Sequence, residues 1–419
     1  MTVATLLPIV GLAALSVIAR IVLGSWIAPG AFFLIFWTIL ITVSVVAVQE
    51  YKVWHIALWW IFASLFLFFM GSCIGNMIAC GKRVAPLEGK LVASQKQLIF
   101  PKLNITTLIC TLLGFSYVLF RDLFAPTIMS VPPLWFQALL SFLYAAPLFG
   151  GIMFASTLSR PARLLAIMSV SPAVFFSVID LGRSPMLAAV FFWIAGFWSA
   201  KVLIGRGVVP LCTPKLMLTT LLLAVTLIGA GMFIAPLRII GVENEWSMRD
   251  RLVLYPDILC QVDPVKEFSK FRHCVFSSPF AFSYYLKKVL LHPPTPSHGA
   301  IMFGGPLQLF GVHMRTPFES FEVDPNVYSN VYSLFMPPIE DFGLYGSFVA
   351  FFFCGLITGW AYRLVAKGNL LAIPILTMFY PHVLVIGGYY FVYNSLILAH
   401  TILGIYLFWV KKKVRILTS

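Results

Sequence analysis

Charged residues are scarce in this chain: they make up 11% of its 419 positions, and only 15 are Asp or Glu. With 60% hydrophobic residues and a mean hydropathy of +0.94, too little polar chain remains to cover a soluble core of this size. A soluble globular class is excluded. The usual catalytic cassettes are missing as well: there is no GxSxG elbow, no HExxH and no paired CxxC. Gly81-Lys82 and Gly89-Lys90 lack the spacing of a phosphate loop, and Leu91 stands where that loop needs a hydroxyl. Carboxylates inside apolar runs, the usual relay of ion-coupled carriers, are nearly absent. Asp180 lies at the end of one such run, with Arg183 at helical ion-pair spacing. No transporter-type internal repeat is visible, and short alternating segments of a membrane barrel are lacking too.

What is there is a series of apolar runs, several of them stretches of about 17 to 24 residues without any charge, the length needed to cross a bilayer as a helix. They cover 4–19, 30–48, 56–79, 104–120, 134–157, 164–180, 185–204, 215–235, 343–362, 370–387 and 389–409. The expected fold is therefore an all-α polytopic membrane protein of about eleven transmembrane helices. The net charge of +14, from 29 Lys+Arg against 15 Asp+Glu, would suggest nucleic acid in a soluble protein. Its distribution points to topology instead. Arg20, Lys82, Arg83, Lys90, Lys96, Lys102, Arg160, Arg163, Lys201, Arg206, Lys215, Arg363, Lys367, Lys411, Lys412, Lys413 and Arg415 fall between alternate runs or at their ends, joined there by one acid, Glu88. The short connections on the other side hold little beyond Lys52, Arg121 and Arg183. The positive-inside rule then puts the N-terminus in the periplasm and the C-terminus in the cytoplasm, with a bacterial inner membrane as the expected location. Residues 1–19 lack a charged n-region and are expected to remain as a span.

Three regions follow: 1–235, a membrane bundle of about eight helices; 236–341, one large extracytoplasmic loop; and 342–419, about three helices with a basic tail. The loop holds most of the acids and many Pro, Tyr and Phe residues, too many aromatics for a disordered segment. Asp263-Pro264 reads as a helix start. The aromatic and basic run 271–291 reads as a helix that either lies on the membrane surface or packs on the bundle. Cys73, Cys80, Cys110, Cys212 and Cys354 are expected as apolar filler. Cys260 and Cys274, in the oxidising compartment, are either a disulfide or two free thiols. His292, His298 and His313 are expected to be solvated loop residues, not zinc ligands.

Arg183, Arg238, Arg249, Arg251 and Arg315, with His313, Glu340 and Asp341, form an outward set of cations and acids suited to an anionic lipid headgroup. Guanidinium forks stabilise a departing diphosphate without a metal, and a carboxylate or imidazole takes a proton from an attacking hydroxyl. Plainer roles compete: Arg183 pairing with Asp180, solvated loop arginines, and Glu340 as a helix cap.

The segment Asn330-Val331-Tyr332-Ser333-Leu334-Phe335-Met336-Pro337-Pro338-Ile339-Glu340-Asp341-Phe342-Gly343, followed by Gly346, resembles the NVY(T/S)-x-x-x-P-x-x-x-DFG-x-x-G signature of Wzy-type O-antigen and capsule repeat-unit polymerases. Ile27-Ala28-Pro29-Gly30-Ala31 is similar to that family's second span, and Leu181-Gly182-Arg183-Ser184 to its short outer turn. Met336 departs from the Arg that many relatives carry. The resemblance implies a C-type membrane glycosyltransferase fold that moves a glycan from undecaprenyl diphosphate onto a lipid-linked repeat unit. It implies no cofactor or metal, and a chain-length regulator as partner. On this reading Arg183 and Arg315 hold the diphosphate, and His313 or Glu340 and Asp341 orient or deprotonate the acceptor. Arg238, Arg249, Arg251 and Asn330 bind substrate, and Tyr328 and Tyr332 stack on sugars. The competing expectations are an O-antigen ligase and a lipid-linked oligosaccharide flippase.

Overall fold

The computed structural model describes residues 3–47, 53–80, 96–124, 134–179, 183–205, 278–304, 307, 321–324, 327–329, 333–384, 394–411 and 415–418. The helices are α1 (Val3–Leu23), α2 (Pro29–Ala47), α3 (His55–Cys80), α4 (Leu103–Phe124), α5 (Leu134–Ser156), α6 (Arg160–Met168), α7 (Ser171–Ile179), α8 (Arg183–Gly205), α9 (Ser278–Leu291), α10 (Met336–Ala366), α11 (Ile373–Leu384) and α12 (Asn394–Val410). Seven of these, α1 to α5, α8 and α10, are long and apolar enough to cross a membrane. Their outward faces are apolar: Val3 is 79% exposed and Ile21 73%. Lipid, not water, suits such a surface. Hydroxyls within the spans turn back on their own helix, as Thr38 does to Leu34 O at 2.7 Å and Thr111 to Thr107 O at 2.7 Å.

The chain groups into two units. The first holds α1–α3 and α9–α11, and its axis is the pairing of α3 with α10. Gly71 and Gly75 of α3 lie against the backbone at Phe352 and Leu356, while Gly355 and Gly359 of α10 lie against the carbonyls of Phe68 and Ser72. A Cβ at any of the four would overlap backbone atoms, so two small-xxx-small patterns let the helices approach closely where apolar burial offers no driving force. The matched order of contacts shows that α3 and α10 run in the same direction. At its far end α3 finishes on Lys367, whose Nζ donates to Ala79 O at 2.7 Å and Cys80 O at 2.6 Å, a cation on a helix C-terminus.

Aromatic rings fill the other end of this unit. Phe335, immediately before α10, is fully buried and meets Trp37 at 4.7 Å, Phe351 at 5.3 Å and Phe282 of α9 at 5.4 Å between ring centroids. Ser283 Oγ accepts from Trp54 N at 3.2 Å. The run expected as a helix over 271–291 is thus helical over Ser278–Leu291 and packs on the bundle, the second of the two alternatives. Its other face, with Tyr284 52% exposed and Lys287 over the Trp54 ring at 5.6 Å, points outward.

The second unit holds α4–α7 and most of α8 and α12. Tyr117, Val118, Phe136, Leu143 and Phe176 form its core, and Gly151 and Gly196 bring the α5 and α8 backbones together. The single span expected over 164–180 is instead two nine-residue helices, α6 and α7, meeting at Ser169 and Val170. Pro172 cannot donate to Met168 O, which accepts from Ser171 Oγ at 2.6 Å instead. Trp193 Nε1 closes the break by donating to Ala166 O at 3.0 Å. The run 215–235 and Asp263-Pro264 lie outside the described residues.

Two short ribbons, absent from the helical expectation, complete the described chain. β1 (Lys96–Ile99) pairs antiparallel with β4 (Arg415–Thr418), so the basic tail is tied to the segment before α4. β2 (Phe321–Asp324) pairs with β3 (Val327–Ser329), placing Glu322 opposite Tyr328.

Candidate functional site

The described part of the signature is the start of α10. A span expected at 343 begins seven residues earlier, at Met336, with Pro337 in the first turn where its missing N–H is harmless. The helix then breaks at Gly343, whose φ of 75° and ψ of 177° belong to a region reserved almost entirely for glycine. Nothing crowds this position, so the backbone angle alone requires glycine there. The short segment before the break carries Glu340 and Asp341, one turning to each of two partners.

Asp341 is fully buried. Its Oδ1 accepts from Ile301 N at 3.0 Å and from the Ser297 hydroxyl in a short bond, and its Oδ2 accepts from Met302 N at 2.7 Å. Backbone bonds reinforce the junction: Ser297 N donates to Glu340 O at 3.0 Å and His298 N to Asp341 O at 2.9 Å. A buried carboxylate needs such charge-assisted donors to offset lost hydration, and the turn after the Pro-rich segment 293–296 supplies all of them. The turn is itself unusual, with His298 at φ 52° and Gly299 at φ 92°. Asp341 therefore clamps the 297–302 turn onto the head of α10.

Glu340 differs. It is half-buried, and its Oε1 accepts from Tyr285 Oη of α9 at 2.6 Å. Burial first, then the hydrogen bond and negative charge of Glu340, push the Tyr285 phenol well above its ordinary range, so it stays a neutral donor. Among the described residues nothing else hydrogen-bonds the Glu340 carboxylate, whose second oxygen is open. It is not the helix cap either: that position is Phe335, and no side chain caps it.

Of the residues singled out from the sequence, the structure brings Glu340 and Asp341 together as neighbours with separate partners. Arg183 is the first residue of α8, described by its backbone alone, as is Tyr328 on β3. Arg238, Arg249, Arg251, His313, Arg315, Asn330, Tyr332, Cys260 and Cys274 lie outside the described residues. Cys73, Cys80, Cys110 and Cys354 are free thiols. Sequence reasoning missed Tyr285 and Ser297. The Ser-His-Gly after a proline run signals a turn, but nothing local says that its partner lies 44 residues on.

No protein-family model, curated protein or solved structure matches this chain.

Proposed function

We propose that the protein is a repeat-unit polymerase of the Wzy type, acting at the outer face of a bacterial inner membrane. The observation that carries this reading is that the Asp-Phe-Gly signature has a physical job here. Asp341 clamps a loop, Gly343 breaks the helix, and Glu340, just before them, keeps an open carboxylate oxygen at the head of an apolar helix.

In this reaction the acceptor's sugar hydroxyl attacks the anomeric carbon of the donor glycan, the bond from that carbon to the diphosphate oxygen breaks, and undecaprenyl diphosphate leaves. Glu340 takes the hydroxyl proton, held in place by Tyr285. His313 is the alternative base. Asp341 is a positioning residue, since the 297–302 turn occupies its carboxylate. Arg183 and Arg315 hold the diphosphate, with Arg238, Arg249 and Arg251 around the headgroup, and Tyr328, Asn330 and Tyr332 contact sugar.

The topology that this reading needs is compatible with the parallel run of α3 and α10. With α3 and α10 running in the same direction, this reading requires an odd number of crossings between them. α4, α5, the α6–α7 pair, α8 and a span over 215–235 meet that condition. With α11 and α12 added, the proposed arrangement has eleven spans, the N-terminus outside, the C-terminus inside and the large loop between the eighth and ninth.

The test is a gel of surface glycan from a strain lacking the gene, with and without a plasmid copy. Core capped by a single repeat unit, restored to a ladder by the plasmid, is the expected result. Loss of the single-unit band as well would replace polymerisation by ligation or export.

A further inference from the structure

We infer that the end of α10 remote from the carboxylates binds the phosphate group of an anionic phospholipid. Arg363 lies 20 residues beyond Gly343, about 30 Å at the helical rise and close to the thickness of a hydrocarbon layer. There Tyr362, only 3% exposed, is hydrogen-bonded to Ser25 in the turn between α1 and α2 and lies within electrostatic reach of both Arg363 and Arg20. Arg20 of α1 and Arg363 of α10 are thus both near this one phenol. Nothing on these elements neutralises them: α1, α2, α3, α11 and all of α10 beyond Asp341 contain no acid.

Polar atoms at the same level lack partners. Arg363 Nε, Asn76 Oδ1 and Ser72 Oγ are buried without a hydrogen bond. Their common level follows from the register: Gly359 sits on Ser72, and Lys367 reaches the carbonyls of Ala79 and Cys80, so Arg363 and Asn76 fall between these contacts. The contrast with Lys367 is instructive, because that cation finds its acceptors within the chain. A phosphate diester supplies what is missing. Its oxygens accept from Arg363 and Arg20, and a glycerol hydroxyl donates to Asn76. The surroundings favour a lipid over free phosphate: beside Arg20 lie Ile21, 73% exposed, and Val22, and beside Asn76 lie Met77, 63% exposed, and Ile78. Acyl chains can lie along these faces while the headgroup reaches the arginines.

The experiment is native mass spectrometry of the full-length, delipidated protein titrated with phosphatidylglycerol, phosphatidylcholine or inorganic phosphate. Wild-type protein is expected to retain phosphatidylglycerol selectively, and the Arg20→Gln/Arg363→Gln double variant to bind it about a hundredfold more weakly, about tenfold per guanidinium. Arg363→Lys keeps the charge without the fork and should fall between them. Arg163→Gln, in the other unit and over the Phe154 ring, should change nothing. Undiminished binding by the double variant overturns the inference, as does equally tight binding of inorganic phosphate or phosphatidylcholine. So does a markedly lower melting temperature of the lipid-free double variant, which would mean that the arginines hold the fold.

Discussion

The two ends of α10 satisfy their polar groups in opposite ways. At the head, each carboxylate has donors from the chain itself: Ser297, Ile301 and Met302 for Asp341, and Tyr285 for Glu340. At the tail, Arg20 and Arg363 both lie within electrostatic reach of Tyr362, with no acid on α1 or on α10 beyond Asp341, and three buried polar atoms have no partner. A charge cluster that closes on itself organises the protein's own backbone, whereas one that stays open is shaped for something from outside. Even at the head the distinction recurs in miniature, because Asp341 is fully committed and Glu340 is not.

That comparison can be broken in several places. Glu340→Gln removes the open oxygen's basicity with little change in shape, so chain elongation should fall about 100- to 10,000-fold at normal membrane level, read from glycan ladders. A full ladder would hand the proton to His313 or elsewhere. Asp341→Asn attacks the closed half: it weakens three charge-assisted bonds and should cost about 3 kcal/mol, seen as a lower melting temperature in detergent together with lost polymer. If stability were untouched, the clamp would not be what the carboxylate is for. Gly343→Ala forces a Cβ into a conformation available almost only to glycine and should cost about 1–3 kcal/mol. Smallest is Tyr285→Phe, expected to cost about 1 kcal/mol and to slow elongation several-fold while leaving its pH dependence in place. The bond it removes should survive up to about pH 10. The folded phenol ionises above its unfolded value, so this contribution is complete below that pH and is lost as pH rises further.

Long helices were legible because their determinant is local. An apolar run long enough to cross a bilayer identified α1 to α5, α8 and α10, while the short helical segment before the break at Gly343 was missed because prolines and acids at 337–341 look like loop. The break between α6 and α7 was also written in the chain, in Pro172 preceded by Ser169 and Ser171, but hydropathy averages across it. The close pairing of α3 with α10 was less accessible. Gly71, Gly75, Gly355 and Gly359 show the right spacing on each helix, yet spacing alone does not say which helix meets which. For the site, Glu340 and Asp341 stood out as acids beside a span, while their division of labour depends on Tyr285 and Ser297, distant in sequence and unremarkable in type.

The glycine contact between α3 and α10 also bears on how the protein is made. Gly71 and Gly355 are separated by 284 residues, so at about 5–20 residues per second the ribosome needs roughly 15–60 s after making one helix to deliver the other. During that interval the glycine face of α3 has no cognate surface, and a chain interrupted before α10 emerges should be a substrate for membrane proteolysis. Assembly of this unit is therefore a late event of synthesis, completed by the same helix that carries Glu340 and Asp341.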